Sequence, residues 1–321
     1  MTTSKPKVSV SNIHELGLLI ACILVLLIFS FTAPNFFTER NLLSILRSAS
    51  YVGLVAFPMT FVLISREIDI SVGPSVAYSG VLFACLIKWY GFSYPLAAVV
   101  VLFWGLFIGY IVGIVRTKLF VPTFITTLAL WSALRGLALW QTDGVPVMVG
   151  SKPFRYFFGG DILGLPTVSW IMLIVFVIFW FLSTYTVLGT NIYAVGGNPK
   201  AARSVGINVD RIKIYTLIAT SFFSAVVGIL FVARVSSGNS TVGEGMEFDV
   251  IAAVVVGGTS LAGGRGRIFG TLIGALIIGV IRNGMNHTNV ESHMQNVVYG
   301  VVILIAVMVD QLRNRGLKNS S

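Results

Sequence analysis

Four acidic residues stand where an otherwise apolar chain has little reason to carry charge. Glu67 and Asp69 lie in Ser65-Arg-Glu-Ile-Asp-Ile-Ser-Val-Gly73, and Glu247 and Asp249 in Glu247-Phe-Asp-Val. A charge at the centre of a bilayer costs at least ~2.5–3.5 kcal/mol on insertion scales, so these carboxylates must be paired, wet or near an interface. In that setting they, together with Ser71, suit contact with a hydrophilic solute on a translocation pathway, or binding of a driving ion. Asp69 has a structural alternative. At the start of a helix its charge complements the positive helix end, and Arg66, three residues back, pairs with it if the turn is helical.

Other constellations carry no chemistry of their own. His14, His287 and His293 lack metal-ligand partners at useful spacing, and Cys22 and Cys85 lie far apart in apolar runs. The cysteines read as structural thiols, with no disulfide framework and no metal site. Gly257-Gly258 and Gly263-Gly264 lack the Gly-Lys-Ser/Thr that a phosphate-cradling loop needs. No Ser–His or paired-carboxylate arrangement stands out either. The chain therefore reads as a transport subunit rather than an enzyme, with no cofactor, nucleotide or metal of its own.

A polar island, Tyr193-Ala-Val-Gly-Gly-Asn-Pro-Lys-Ala-Ala-Arg-Ser-Val-Gly-Ile-Asn208, separates two apolar runs. Asn198 is a good helix cap, and Pro199 then occupies the first helical position, where its missing N–H costs nothing. Lys200, Ala201, Ala202 and Arg203 continue a turn or two of helix to Val205, and Gly206 is placed to end it in a left-handed cap. Isolated helices shorter than about 12–15 residues are marginal in water, so this one must lean on its own membrane domain or on a partner. An ordinary connector is the bland alternative; docking is preferred for reasons the rest of the chain supplies.

The elements that position these residues follow from composition. Of 321 residues 56% are hydrophobic and 11% charged, with mean hydropathy +0.90, against about 25% charged in soluble domains. Several runs exceed the ~18 apolar residues that cross a bilayer. The fold class is an all-α polytopic membrane protein, a single transmembrane domain over residues 1–321 with a cytoplasmic loop at 186–213. About ten spans are expected, at 16–33, 42–64, 74–89, 94–115, 123–140, 167–185, 214–233, 249–262, 268–283 and 296–309. The first reads as a retained span rather than a removed signal peptide.

The net charge of +10 does not indicate nucleic acid, because the basic residues are scattered between spans and form no stripe. With the N-terminus inside, 14 of the 22 Lys and Arg fall on the inner side and four outside. Four more, Arg47, Arg135, Arg234 and Arg282, lie in or at the ends of spans. That bias puts both termini and the island in the cytoplasm.

The third and eighth spans, 74–89 and 249–262, fall below the ~17–25 residues of a normal crossing, and polar stretches precede both. Irregular backbone survives at membrane depth only beside protein or a water-filled cavity, which predicts broken helices dipping towards a pathway. Glu67-Ile-Asp69-Ile echoes Glu247-Phe-Asp249-Val, as an inverted repeat of five spans would, although four matching residues do not separate a repeat from coincidence. Gly266, Gly270 and Gly274 bare one helix face for close helix packing, within the subunit first and in a homodimer second.

The island, with Gly206-Ile-Asn, resembles the coupling loop of bacterial ABC sugar-importer permeases of the ribose, xylose and galactose group. Glu247-Phe-Asp-Val-Ile-Ala-Ala-Val-Val-Val-Gly-Gly-Thr-Ser-Leu-Ala-Gly-Gly264 resembles that family's second signature, and Ile68-Asp-Ile-Ser-Val-Gly73 its first. Asn35-Phe-Phe and Asn283-Gly-Met-Asn286 extend the likeness over almost the whole chain. The resemblance implies a homodimer in the bacterial inner membrane, with one fused or two separate cytoplasmic ATPase subunits holding ATP-Mg. It also implies a periplasmic binding protein that delivers the sugar. Coupling to the ATPase maps onto Asn198, Pro199, Lys200, Ala201, Ala202, Arg203 and Gly206. Two departures leave the sugar open: Arg66-Glu67 replaces a common Gly before Ile-Asp, and His293-Met294 replaces an aromatic pair before Gln295. A ribose-like pentose comes first, then a hexose or a furanosyl autoinducer. The rival class is a secondary transporter driven by an ion gradient through Glu67, Asp69, Glu247 and Asp249.

Overall fold

The computed structural model describes residues 10–288, 290, 291, 294, 295, 297, 298, 300–302, 304, 305 and 308. The chain runs through α1 (Val10–Thr32), α2 (Glu39–Ile64), α3 (Val72–Lys88), α4 (Tyr94–Lys118) and α5 (Thr123–Thr142). A short excursion follows: strand β1 (Val147–Met148), the single turn α6 (Lys152–Phe154), a wider turn at Arg155–Gly159, and a hairpin of β2 (Asp161–Ile162) and β3 (Leu165–Pro166). Then come α7 (Thr167–Tyr185), α8 (Val187–Gly197), α9 (Pro199–Ser204), α10 (Val209–Val235), β4 (Ser237–Gly238), α11 (Met246–Val256) and α12 (Ile268–His287). β4 returns to pair antiparallel with β1, Val147 opposite Gly238.

Among the described residues seven helices are long and apolar enough to cross a membrane: α1 (from Glu15), α2, α4, α5, α7, α10 and α12. The bounds expected for a tenth span, 296 and 309, lie outside the described residues; those described between them are helical. His293, Lys5, Lys7, Arg313, Arg315 and Lys318 also lie outside them.

The bundle is built around α2, whose residues are buried without a break from Ala49 to Ile64. A helix apolar on all sides belongs in such a place, and α7, α10, α11 and α12 pack around it. By contrast α1 lies on the outside, with Leu16, Ile20, Leu24 and Phe31 exposed. On α4, Gly105, Gly109 and Gly113 face α10, and a Cβ on Gly109 would lie 2.5 Å from the Ile218 Cα. That stripe of small residues lets the two backbones approach closely.

The third and eighth segments are short: α3 has 17 residues and α11 only 11. The second differs from the expected 249–262. It begins earlier, at Met246, and ends at Val256, because Gly257 closes it and Gly258, Gly263 and Gly264 adopt φ of +91°, +81° and +74°. Left-handed glycines build a turn there, not a helix. Conversely α10 starts before the expected 214, because Asn208 accepts a hydrogen bond from the Arg211 N–H and starts the helix outside the apolar run.

Candidate functional site

The first break, Ser65–Ser71, begins where α2 ends. Glu67 is 4% exposed and fully paired. Arg116 Nε of α4 donates to its Oε1 at 2.8 Å, Lys213 Nζ of α10 donates to the same oxygen, and the Thr123 hydroxyl of α5 donates to Oε2. One carboxylate thus ties three helices to the break. Asp69 accepts from Ser71 N at 2.9 Å and Ser71 Oγ at 2.7 Å, an Asx turn leading into α3.

The expected Arg66–Asp69 pair does not form. Arg66 has φ of +64°, so this turn is not helical and its side chain is carried away from Asp69. Its Nε donates to Gly196 O at 2.5 Å and an Nη to Gly197 O at 2.6 Å, closing the last turn of α8. Gly196 sits so near the end of α2 that a Cβ there would lie 1.8 Å from Ile64 O, which itself accepts the Gly264 N–H at 2.8 Å.

The polar island springs from this junction. Asn198 Oδ1 accepts from Lys200 N and Ala201 N at 3.1 Å each, Pro199 opens α9, and Gly206 follows it at φ +87°. Of α9 only Ala202 is buried, while Lys200, Ala201, Arg203 and Val205 beyond it are exposed. Arg203 pairs with Asp210 at 2.6 Å, holding α9 against the start of α10. Tyr193 on α8 donates its hydroxyl to Gly266 O at 2.9 Å. Further along that glycine face, Cβ atoms on Gly270 and Gly274 would lie 2.1 Å from Gly257 O and 2.0 Å from Ala253 O. The bare face of α12 is therefore filled by α11 and the turn after it, within the chain.

The second break, Ser236 to Gly245, leads into α11. Glu247 accepts from Trp131 Nε1 at 2.8 Å, and Asp249 from Arg282. Unlike Glu67, each has an oxygen that is buried without a hydrogen-bond partner, Glu247 Oε2 and Asp249 Oδ1, as has Asp69 with Oδ2. The two breaks meet: a Cβ on Gly73, in the first turn of α3, would lie 2.1 Å from Glu247 Oε2 and 2.5 Å from Gly243 O. Only a residue without a side chain lets them close.

One face of α5 holds both breaks at helical spacing. Thr123 binds Glu67, Thr127 Oγ1 accepts the Ile70 N–H at 3.3 Å, Trp131 binds Glu247, and Arg135 donates to the carbonyls of Ser240 and Val242. Residues four apart share a helix face, so these side chains form a single ladder. Sequence reasoning missed it. The available signal was a polar residue or tryptophan every fourth position in an otherwise apolar run.

Beside the second break lies a cavity of about 430 Å³ between α2, α10, α12 and the chain entering α11. Tyr51 and Phe231 stack in its wall, centroids 4.2 Å apart, and Arg234 lies over the Tyr51 ring at 5.8 Å. Arg282, paired with Asp249, and Glu244 complete its charged lining. The four arginines left between the two sides of the membrane by their positions in sequence are thereby placed: Arg234 and Arg282 in this wall, Arg135 on the break, and Arg47 paired with Asp161 of β2.

Membrane-length helices around two short, broken ones, with a cavity beside the second break, mark a multi-pass membrane protein. The chain belongs to the permease family described as branched-chain amino acid transport system / permease component, matched over residues 41–307, and within it to the ABC sugar-importer permeases of ribose, xylose and arabinose type. It is 44% identical over 303 residues to the probable ABC transporter permease protein YphD of Escherichia coli K12, covering 94% of this chain and 90% of that one. The ribose import permease protein RbsC of the same strain is 44% identical over 296 residues, 91% and 92% of the two chains. The L-arabinose ABC transporter permease protein AraH of Azospirillum brasilense is 35% identical over 305 residues, 94% and 88%. No solved structure matches the chain.

Proposed function

We propose that this chain is the membrane-spanning subunit of an ATP-driven, binding-protein-dependent importer of a monosaccharide, a ribose-like pentose in the first instance. It sits in the bacterial inner membrane with about ten spans and both termini in the cytoplasm, pairs with a second copy of itself, and receives the sugar from a periplasmic binding protein. ATP and Mg are bound by a separate cytoplasmic ATPase, one fused chain or two, and the chain itself binds neither. Asn198, Pro199, Lys200, Ala201, Ala202, Arg203 and Gly206 form the surface on which that ATPase acts. The observation that carries this reading is the geometry of α9, an exposed turn whose only buried residue is Ala202, rooted through Arg66 and Gly196 in the end of the central helix. A push on α9 has a short, stiff route into α2 and the first break.

The sugar passes beside the second break, which Glu247 ties to α5 and where Asp249 holds Arg282 of the cavity wall, while Asp69 and Ser71 shape the start of α3 and Glu67 braces it. Hexoses and furanosyl signals travel by the same mechanism if the cavity accepts them. An ion-driven secondary transporter is the second reading, favoured by the unpartnered oxygens of Asp69, Glu247 and Asp249. Reconstituted vesicles containing the chain, the ATPase and the binding protein decide between them. Uptake that needs ATP and survives collapse of the proton and sodium gradients is the expected result. Uptake that needs a gradient and ignores ATP supports the second reading.

A further inference from the structure

The first break leaves positive charge over at the end of the bundle that carries α9. We propose that the ends of α4 and α10 form a binding site for the phosphate headgroup of one anionic phospholipid, whose apolar body lies against the loop between α4 and α5. The site stands apart from the solute route and rests on the proposed topology only for its leaflet, the cytoplasmic one. Arg116 Nε, at 2.8 Å, and Lys213 Nζ both donate to Glu67 Oε1, so one carboxylate serves two cations. The Arg116 side chain is 28% exposed and stays open to a further anion. α4 and α10 run antiparallel in close contact: Cβ atoms on Gly109 and Gly113 would lie 2.5 and 3.0 Å from the Cα atoms of Ile218 and Ile214. Carried on along both helices, that register sets Arg116 opposite Arg211. Lys118 and Arg211 are exposed, and neither has an ion-pair partner among the described residues. Asp210, beside Arg211, is taken by Arg203. Four cations thus gather around one carboxylate. Lys118 suits the end of α4, where a cation complements the helix dipole, but Arg211 stands in the first turn of α10, where the dipole disfavours it. An anion from outside the chain satisfies both.

The loop between α4 and α5 points to a lipid rather than a free anion. Thr123 donates to Glu67 Oε2, so the loop is pinned to one carboxylate at both ends, by Arg116 before it and Thr123 after it. Leu119 and Phe120 form its tip and are exposed, Phe120 at 76%. Phe120 also takes φ of +58°, the left-handed position after a helix that glycine fills at little cost and a bulky residue at a penalty. An exposed ring offsets none of that strain within the chain, whereas a ring among acyl chains does. Tyr215, one turn after Arg211 on the same face of α10, is exposed as well. Basic residues at helix ends flanked by apolar and aromatic surface are what an anionic headgroup and its chains meet. An acidic segment of a partner protein would match the charges and give no reason for the strained, outward Phe120.

The test uses the full purified chain in neutral detergent, titrated with phosphatidylglycerol, phosphatidylethanolamine and inorganic phosphate. Native mass spectrometry counts bound lipid, and thermal unfolding without lipid checks the fold. The wild type retains one phosphatidylglycerol per chain in preference to phosphatidylethanolamine, and phosphate does not displace it. Lys118 and Arg211 are exposed, so Lys118→Gln and Arg211→Gln leave lipid-free unfolding unchanged and each weaken retention about fivefold. Phe120→Gly separates a lipid contact from a mere helix cap. The lipid-free midpoint does not fall, because glycine accepts the left-handed backbone, yet retention of phosphatidylglycerol drops several-fold. A lower midpoint would mean that the ring packs within the chain, against the proposal. Four further results overturn it: both lipids are retained alike, phosphate displaces the lipid, the charge variants retain it as the wild type does, or Phe120→Gly leaves retention unchanged. Loss of ATPase binding or of self-association in the charge variants, with lipid retention intact, assigns the surface to a protein partner and likewise overturns it. No arm uses ATP or sugar, so failure here leaves the importer reading standing.

Discussion

The two breaks carry the same Glu-x-Asp spelling and are finished differently. At the first, Glu67 has both oxygens engaged by Arg116, Lys213 and Thr123. At the second, Glu247 keeps one buried oxygen without a partner, as Asp249 does there and Asp69 does at the first. A buried polar atom left unpaired carries a desolvation cost, whereas a saturated carboxylate holds its neighbours in place. The first break is therefore a joint that keeps α4, α5 and α10 in register. The second has no such joint: its glutamate accepts from Trp131 alone among the described residues and keeps a buried oxygen unpaired. The α5 ladder holds both to one helix.

The comparison breaks most readily at Glu67. Glu67→Gln removes the carboxylate that Arg116 and Lys213 share, and loss of one member of a buried ion pair costs about 3–5 kcal/mol. Thermal unfolding in detergent should show a large loss of stability, partly restored when Lys213→Met removes the stranded cation. A stable single variant would mean that the first break is no joint.

At the second break the effect should be smaller. Trp131→Phe keeps an aromatic ring and deletes the indole N–H that donates to Glu247 Oε1, a loss of about 1.5–3 kcal/mol for a bond to a charged group. Denaturant midpoints check it, and a cost as large as that of Glu67→Gln would erase the distinction between the breaks. The α12 glycines give a further measure of how tightly α11 is held. Gly274→Ala sets a methyl 2.0 Å from Ala253 O, and overpacking of this kind costs about 1–3 kcal/mol, read from the same midpoints.

The smallest effect on stability is expected on α9. The Arg203–Asp210 pair is largely solvent-exposed, and surface pairs contribute about 0–1 kcal/mol. Arg203→Ala should leave unfolding and membrane assembly nearly unchanged while ATP-driven uptake falls and hydrolysis continues, as measured in reconstituted vesicles. Normal uptake would remove α9 from the mechanism.

Much of this was legible in the sequence where the signal is local. The short third and eighth helices follow from apolar length, and the Asn198 cap, Pro199 start and left-handed Gly206 follow from residue type. The Arg66–Asp69 pair failed as an expectation because it assumed a helical turn where Arg66 takes φ of +64°. The α5 ladder stayed hidden because Thr123, Thr127 and Trp131 are ordinary residues of an apolar helix, and their partners lie 56 to 116 positions away for Thr123 and Trp131. The cavity was hidden for a related reason. Tyr51 and Phe231 read as core aromatics in separate runs, and only the fold stacks them.

The most direct test of the central claim is the side and partner of α9. With Cys22 and Cys85 replaced, Lys200→Cys should resist an impermeant thiol reagent added outside intact cells. In membranes it should form a cross-link to the ATPase subunit whose yield changes with bound nucleotide. Labelling of that position from outside, or a chain that imports sugar with no ATPase present, would contradict the account.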